Sequence, residues 1–114
     1  MDRLSEILIA KALDGLSMRA SVIAQNIANA NSQSYAPQKV TFEDELRAAA
    51  NQGEDAVHRV EPRISEVEGR PAVGDMRLDL EMAGASQTSI RYAALVDILN
   101  RQMQITRLAI RGGQ

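Results

Sequence analysis

Ile9, Leu13, Leu16, Ala20, Ile23, Ile27 and Ala30 follow one another at steps of 4, 3, 4, 3, 4 and 3. Alternating steps of this kind keep one apolar stripe on one side of an α-helix. They predict a helix from about residue 4 to about residue 30, roughly 40 Å long at about 1.5 Å per residue. Gly15 interrupts the pattern with a residue that weakens a helix by about 1 kcal/mol relative to Ala, and so marks a candidate bend. The pattern returns near the other end. Met82, Ala85, Ser89, Tyr92, Val96, Leu99, Met103, Thr106 and Ile110 alternate steps of 3 and 4, and a second row, Leu95, Ile98, Gln102, Ile105 and Ala109, runs beside them. A helix over about 79–110 with so broad a stripe needs cover from more than one neighbour. Arg111 suits its last turn and Gly112 its C-terminal cap.

The middle is less regular. "TFEDELRAAA" opens with Thr41 and has Asp44 three residues on, a capping pattern that predicts a short helix over 42–50. From 51 to 75 the chain carries Gly53, Pro62, Gly69, Pro71 and Gly74, with Val60, Ile64 and Val67 as scattered apolar points. That spacing suits a β-hairpin around 57–73 or an irregular loop. The expected fold is mainly α: long N- and C-terminal helices paired as an antiparallel coiled-coil-like hairpin, with a short helix and a small irregular or β-hairpin insert between them. Its parts would be 1–34, 35–75 and 76–114 of one structural domain. The insert reads as poorly packed, so partners must cover the exposed seams.

Composition supports this reading. Of 114 residues 45% are hydrophobic but only 3% aromatic, which suits helix–helix seams built from Ala, Leu, Ile, Val and Met. The absence of cysteine excludes disulfides and thiolate metal sites. A net charge of −2 argues against nucleic acid as a partner, because phosphate binding draws on surplus Lys and Arg. No apolar run approaches the roughly 20 residues of a membrane span, and the N-terminus lacks the pattern of a cleaved signal peptide.

Candidate chemistry is sparse. His58 is the sole histidine, and its polar surroundings read as a solvated loop. Glu61, Glu66 and Glu68 lack histidine partners and the turn glycine of a calcium loop. No P-loop, GxSxG or HExxH pattern occurs. The expectation is a non-enzyme with no cofactor, no metal and no small-molecule substrate, whose function is association through its apolar stripes.

The first helix closes on "NIANANSQSY", residues 26–35. Asn26 and Asn29 lie beside the seam, where an amide can bond an adjoining helix and fix its register. Asn31 and Ser32 then suit a helix end, since Asn tolerates left-handed backbone. The stretch "SVIAQNIANANSQSYAPQKVTFEDEL" resembles the N-terminal signature of bacterial flagellar rod and hook proteins, in which a helix ends in an N-I-A-N-A-N-T-P-G-Y-type run. "GDMRLDLEMAGASQTSIRYAALVDILNRQMQITRLAIRGGQ" is similar to the C-terminal block of the smallest members of that family. Its V-D-L-E-x-E-M-type entry stands as Leu78, Asp79, Leu80, Glu81 and Met82. The resemblance covers residues 12–46 and 74–113. Ser32, Gln33 and Ser34 stand where the family has Thr-Pro-Gly, and the proline is displaced to Pro37, so the turn has neither a fixed φ nor a glycine.

The resemblance implies a structural subunit of the basal-body rod in the periplasmic space. It would be exported unfolded and uncleaved by the flagellar type III apparatus. The implied partners are copies of itself, other rod proteins, the junction of membrane rings and rod, and the export gate. The implied contact residues are Leu13, Leu16, Ile23, Asn26, Ile27, Asn29, Asn31, Tyr35, Met82, Tyr92, Val96, Leu99, Met103 and Ile110. Phe42 and Leu46 match the F-x-x-x-apolar motif by which early subunits dock to the gate; ordinary packing on a helix face explains the same spacing. The rival readings are a helical-hairpin adaptor, such as an export chaperone, and a sister rod protein.

Overall fold

The computed structural model describes residues 1–69 and 74–113. In order, the chain forms α1 (Arg3–Ala28), β1 (Gln38–Thr41), α2 (Glu43–Ala50), α3 (Glu54–His58), β2 (Arg63–Glu66) and α4 (Gly74–Gly112). The two long helices lie antiparallel: residue 26 of α1 meets residue 81 of α4, and Ile23 lies beside Gly84. The molecule is long and flat, 63 × 27 × 14 Å.

Helix α1 starts on Asp2, whose Oδ1 accepts a 2.7 Å hydrogen bond from the Ser5 backbone N–H, satisfying one of the unpaired donors of the first turn. It ends with Asn29 as C-cap at φ −108. No non-glycine residue has positive φ among those described. The left-handed cap expected at Asn31 is therefore absent. A succession of tight turns takes its place, with Ala30 N–H donating to Ile27 O and Ser32 N–H to Asn29 O.

The short helix forms as expected, but Thr41 does not cap it. Thr41 closes β1, paired with Arg63, and Phe42 occupies the cap position without a side-chain bond. Three carboxylates in the first turn, Glu43, Asp44 and Glu45, and Arg47 in the last favour the helix dipole instead.

The insert departs from expectation in two ways. First, residues 54–58 are helical: Gly53, at φ +109, turns the chain sharply after α2, a conformation only glycine adopts freely. His58 accordingly sits in the last turn of α3, exposed, rather than in a loop. Second, β2 does not form a local hairpin. It crosses back to pair antiparallel with β1, Val40 opposite Ile64 and Gln38 opposite Glu66, with α2 and α3 between the two strands. The 70–73 portion of the expected hairpin lies outside the described residues.

The core also sits where the sequence reading placed a poorly packed insert. Leu16 and Val22 of α1 pack with Val40, Phe42, Leu46, Ala49, Ala56, Val57 and Val60. Val57 has no exposed surface. α1 runs through Gly15 without a break; Gly15 receives the Phe42 ring, and a Cβ placed there would lie 2.5 Å from two ring carbons. Ile64 and Val67, in contrast, are surface residues.

Candidate assembly interface

At one end of the hairpin, Asn26 is 1% exposed and all its hydrogen-bonding capacity is used. Its Nδ2 donates to Gln38 O at 2.7 Å and to Glu81 Oε1 at 3.0 Å. Its Oδ1 accepts from Gln38 N–H at 3.0 Å and from Tyr35 Oη–H at 3.2 Å. One amide thus binds β1, the turn before it and α4 to the last turns of α1. A buried amide with both donors and both lone pairs satisfied has the cost of its desolvation offset by hydrogen bonds, and it fixes one register.

The other two asparagines do less. Asn29 donates to Gln25 O in its own helix at 2.8 Å, and Asn31 is exposed. Beside them Arg77, 6% exposed, stacks on Tyr35 at 5.7 Å from the ring centroid. Its Nε and Nη2 are buried and find no hydrogen-bond partner among the described residues.

Midway along the hairpin a charged node holds three helices. Arg19 forks onto Glu43, Nη1 to Oε2 and Nη2 to Oε1, both at 2.7 Å. Nη2 also donates to Val40 O at 2.7 Å, and the guanidinium lies 5.0 Å over Phe42. Arg91 of α4 approaches the same carboxylate at 3.3 Å. The charge-assisted bonds from Arg19 hold the Glu43 carboxyl down to about 2.

The seam residues divide between inner and outer surfaces. Leu16 and Ile23 are buried between α1 and its neighbours. Leu13, Ile27, Tyr35, Val96 and Leu99 are half-buried, and Leu95 packs against the core. Met82, Tyr92, Met103 and Ile110 are exposed. Phe42 and Leu46 are both core residues, so in the folded chain their spacing is accounted for by packing.

What α4 leaves bare is the main feature of the surface. Of its 39 residues only Arg77 and Thr88 are buried. Leu80, Ile90, Ile98, Ile105 and Leu108 form an outer apolar face, with Ile90 and Leu108 70% and 66% exposed. Every residue from Met103 to Gly113 is exposed, because α4 runs past the start of α1. An apolar row of this kind is a candidate surface for burial by a partner.

The α1–α4 junction also forms an open groove of about 450 Å³, lined among others by Ala20, Ala24, Ile27, Ala85, Ser89 and Tyr92. Among the described residues no three His, Asp or Glu side chains converge as a metal site, and no helix is long and apolar enough to cross a membrane.

Sequence reasoning missed the Arg19–Glu43–Arg91 node and Arg77. Arg19 and Glu43 are 24 positions apart, beyond any local spacing rule. Arg77 was hidden within a stretch read by its neighbours Leu78 to Met82. No family model matches this chain, and no curated protein matches it.

Proposed function

We propose that this chain is a structural subunit of the proximal rod of the bacterial flagellar basal body, of the FlgB type. It has no enzymatic role and assembles helically with copies of itself and other rod proteins to transmit motor torque. The observation that carries this reading is the bare outer face of α4, which persists along the helix and past the start of α1. Burial of apolar surface on that face by neighbouring subunits supplies the stabilisation that the thin monomer lacks.

The Asn-rich turn and the C-terminal block supply the family resemblance. Asn26 gives the turn a physical purpose, because a subunit under torque must not slip in register. Export through the type III apparatus requires an unfolded chain. In that state Phe42 and Leu46 are free to dock at the gate, before they enter the core.

The test is electron microscopy of basal bodies from a strain lacking the gene, which should retain membrane rings without a completed rod. Complementation with Leu108→Asp or Ile27→Asp should fail to restore swimming, since a carboxylate would enter a subunit contact without a partner. Complete rods in the deletion strain would overturn the assignment. A stable one-to-one complex of the purified chain with a single soluble partner would favour the adaptor reading instead.

A further inference from the structure

We infer that Arg77, at the start of α4, is the centre of an oxyanion site, which takes a carboxylate or phosphate group in the cavity between that helix and the Asn-rich turn. The inference stands apart from the rod reading, and neither depends on the other.

The cavity measures about 440 Å³ and is bordered by Asn31, Ser32 and Gln33 of the turn, by Tyr35, and by Gly74 and Arg77 of α4. Among the described residues no acidic side chain borders it, and no ion pair involves Arg77. The carboxylates near Arg77 in sequence are accounted for. Asp75 and Asp79 are exposed, and Glu81 accepts from Asn26 Nδ2 at 3.0 Å.

Nε and Nη2, the two Arg77 nitrogens without a partner among the described residues, form one edge of the guanidinium. Their N–H bonds on that edge run parallel and match the two oxygens of a carboxylate or phosphate. The plane of the group is already set. Arg77 lies over the Tyr35 ring at 5.7 Å from its centroid, and the Tyr35 hydroxyl donates to the buried Asn26 Oδ1 at 3.2 Å. A group held in this way loses little freedom on binding. Both nitrogens are covered, so the guanidinium takes the ion by tipping over the ring towards the cavity. Exclusion of water then strengthens the pair.

The start of α4 favours the same ligand. Gly74, on the cavity wall, opens a helix of 39 residues, and the first N–H groups of a helix carry partial positive charge. Asp75 opposes the ion from the same turn, but it is exposed and therefore screened. The helix end alone would be satisfied by any acidic side chain. It is the buried guanidinium edge that calls for an ion, because a cation taken out of water without a partner costs stability until an anion joins it.

The isotope-labelled full-length chain, followed by NMR, tests this directly. It is titrated with sodium phosphate and, separately, with sodium acetate, each against sodium chloride at matched ionic strength. The Arg77 Nε–H resonance should move saturably with phosphate or acetate and not with chloride. The ion that moves it identifies the ligand as a phosphate or as a carboxylate. Thermal unfolding is the second measurement, with Arg77→Met to cancel the general effect of phosphate on folded proteins. The melting temperature of the wild type should climb towards that of Arg77→Met as the ion binds. Arg77→Lys keeps the charge without the fork and should respond less than the wild type. An Nε–H resonance unmoved by both ions, or an equal thermal gain in Arg77→Met or Arg77→Lys, would overturn the inference. So would an Nε–H that is already bonded in chloride and released by Glu81→Gln, because the chain's own carboxylate would then be the partner.

Discussion

Asn26 and Glu81, 55 positions apart, are joined by a 3.0 Å hydrogen bond that is one of four made by a single buried amide. The others go to the Gln38 backbone and Tyr35, so the junction of α1, β1 and α4 converges on one side chain. Asn26→Ala leaves the Gln38 N–H and carbonyl without their partner in a buried setting. Leaving such groups unpaired costs about 2–4 kcal/mol in all, which urea denaturation should register as a lowered midpoint. Asn26→Asp should be worse at neutral pH, because it removes both donors and sets a carboxylate against Glu81. Its deficit should shrink as the solution is acidified. Equal stability of wild type and Asn26→Ala would show that the junction is held by other contacts.

Gly15 is a second position where the reason for the residue lies far away in sequence. In an isolated helix, Gly→Ala stabilises by about 1 kcal/mol. Here the added methyl would lie 2.5 Å from two Phe42 ring carbons and 2.7 Å from a third. The ring cannot swing away freely, being buried and covered by the Arg19 guanidinium. Overpacking of this kind costs about 1–3 kcal/mol, so Gly15→Ala should lower stability despite the better propensity. A rise in melting temperature would mean that the ring shifts easily.

These two residues also show what was legible in the sequence. The long helices were, because their signal is local: apolar steps of 3 and 4 depend on neighbours within two turns. Of the second row read on α4, Ile98, Ile105 and Ala109 are exposed, whereas Leu95 and Gln102 are half-buried and Leu95 packs against the core. The antiparallel pairing followed from two such helices sharing one short chain. In the middle only the short helix α2 was legible, from its own local pattern; the rest was not, because its order comes from contacts across 25 to 50 positions. Val57 looks like any valine in a polar stretch until α1 and α2 close over it. The Gly53 turn creates α3, yet a glycine after a run of alanines reads equally well as the start of a loop. For the asparagine run the residue types indicated a role in register, but only the fold separates Asn26, a four-bonded hub, from Asn29, a helix cap, and Asn31, a surface residue.

Arg77 presents the opposite case from Asn26. Its Nε and Nη2 are buried without hydrogen bonds among the described residues, and stacking on Tyr35 compensates only part of the cost of removing a charge from water. Replacing a buried, unpaired cation by an apolar side chain of similar volume is therefore expected to stabilise the isolated chain. Arg77→Met should raise the unfolding free energy by about 1–4 kcal/mol. Arg77→Lys should not, since it keeps the charge and gives up the planar group that lies on the tyrosine. Destabilisation by Arg77→Met would indicate that the guanidinium is satisfied in solution.

Acid should weaken the fold through Glu43. Its carboxyl is held down to about 2 from an ordinary 4.5, first by the Arg19 hydrogen bonds and further by the Arg19 charge, against the opposing effect of burial. Between those values the unfolded chain binds the proton and the folded chain does not, so stability rises with pH in that window. The contribution is complete above about 4.5 and disappears as pH falls towards about 2. Glu43→Gln removes the titrating group and the ionic half of the node while keeping an acceptor for Arg19. Thermal unfolding of the two proteins across this range should therefore show wild type ahead at neutral pH and the gap closing with acid. The comparison also cancels the acid response of other carboxylates, Asp2 among them, whose own value is lowered by its hydrogen bonds to Ser5. Raising salt should narrow the neutral-pH gap only partly, because the Arg19 and Glu43 side chains are 18% and 32% exposed and partly buried pairs are screened less than surface ones. A gap that stays constant with pH would mean that Arg19 does not bind the ionised carboxylate more strongly than the neutral one, and the node would then be packing alone.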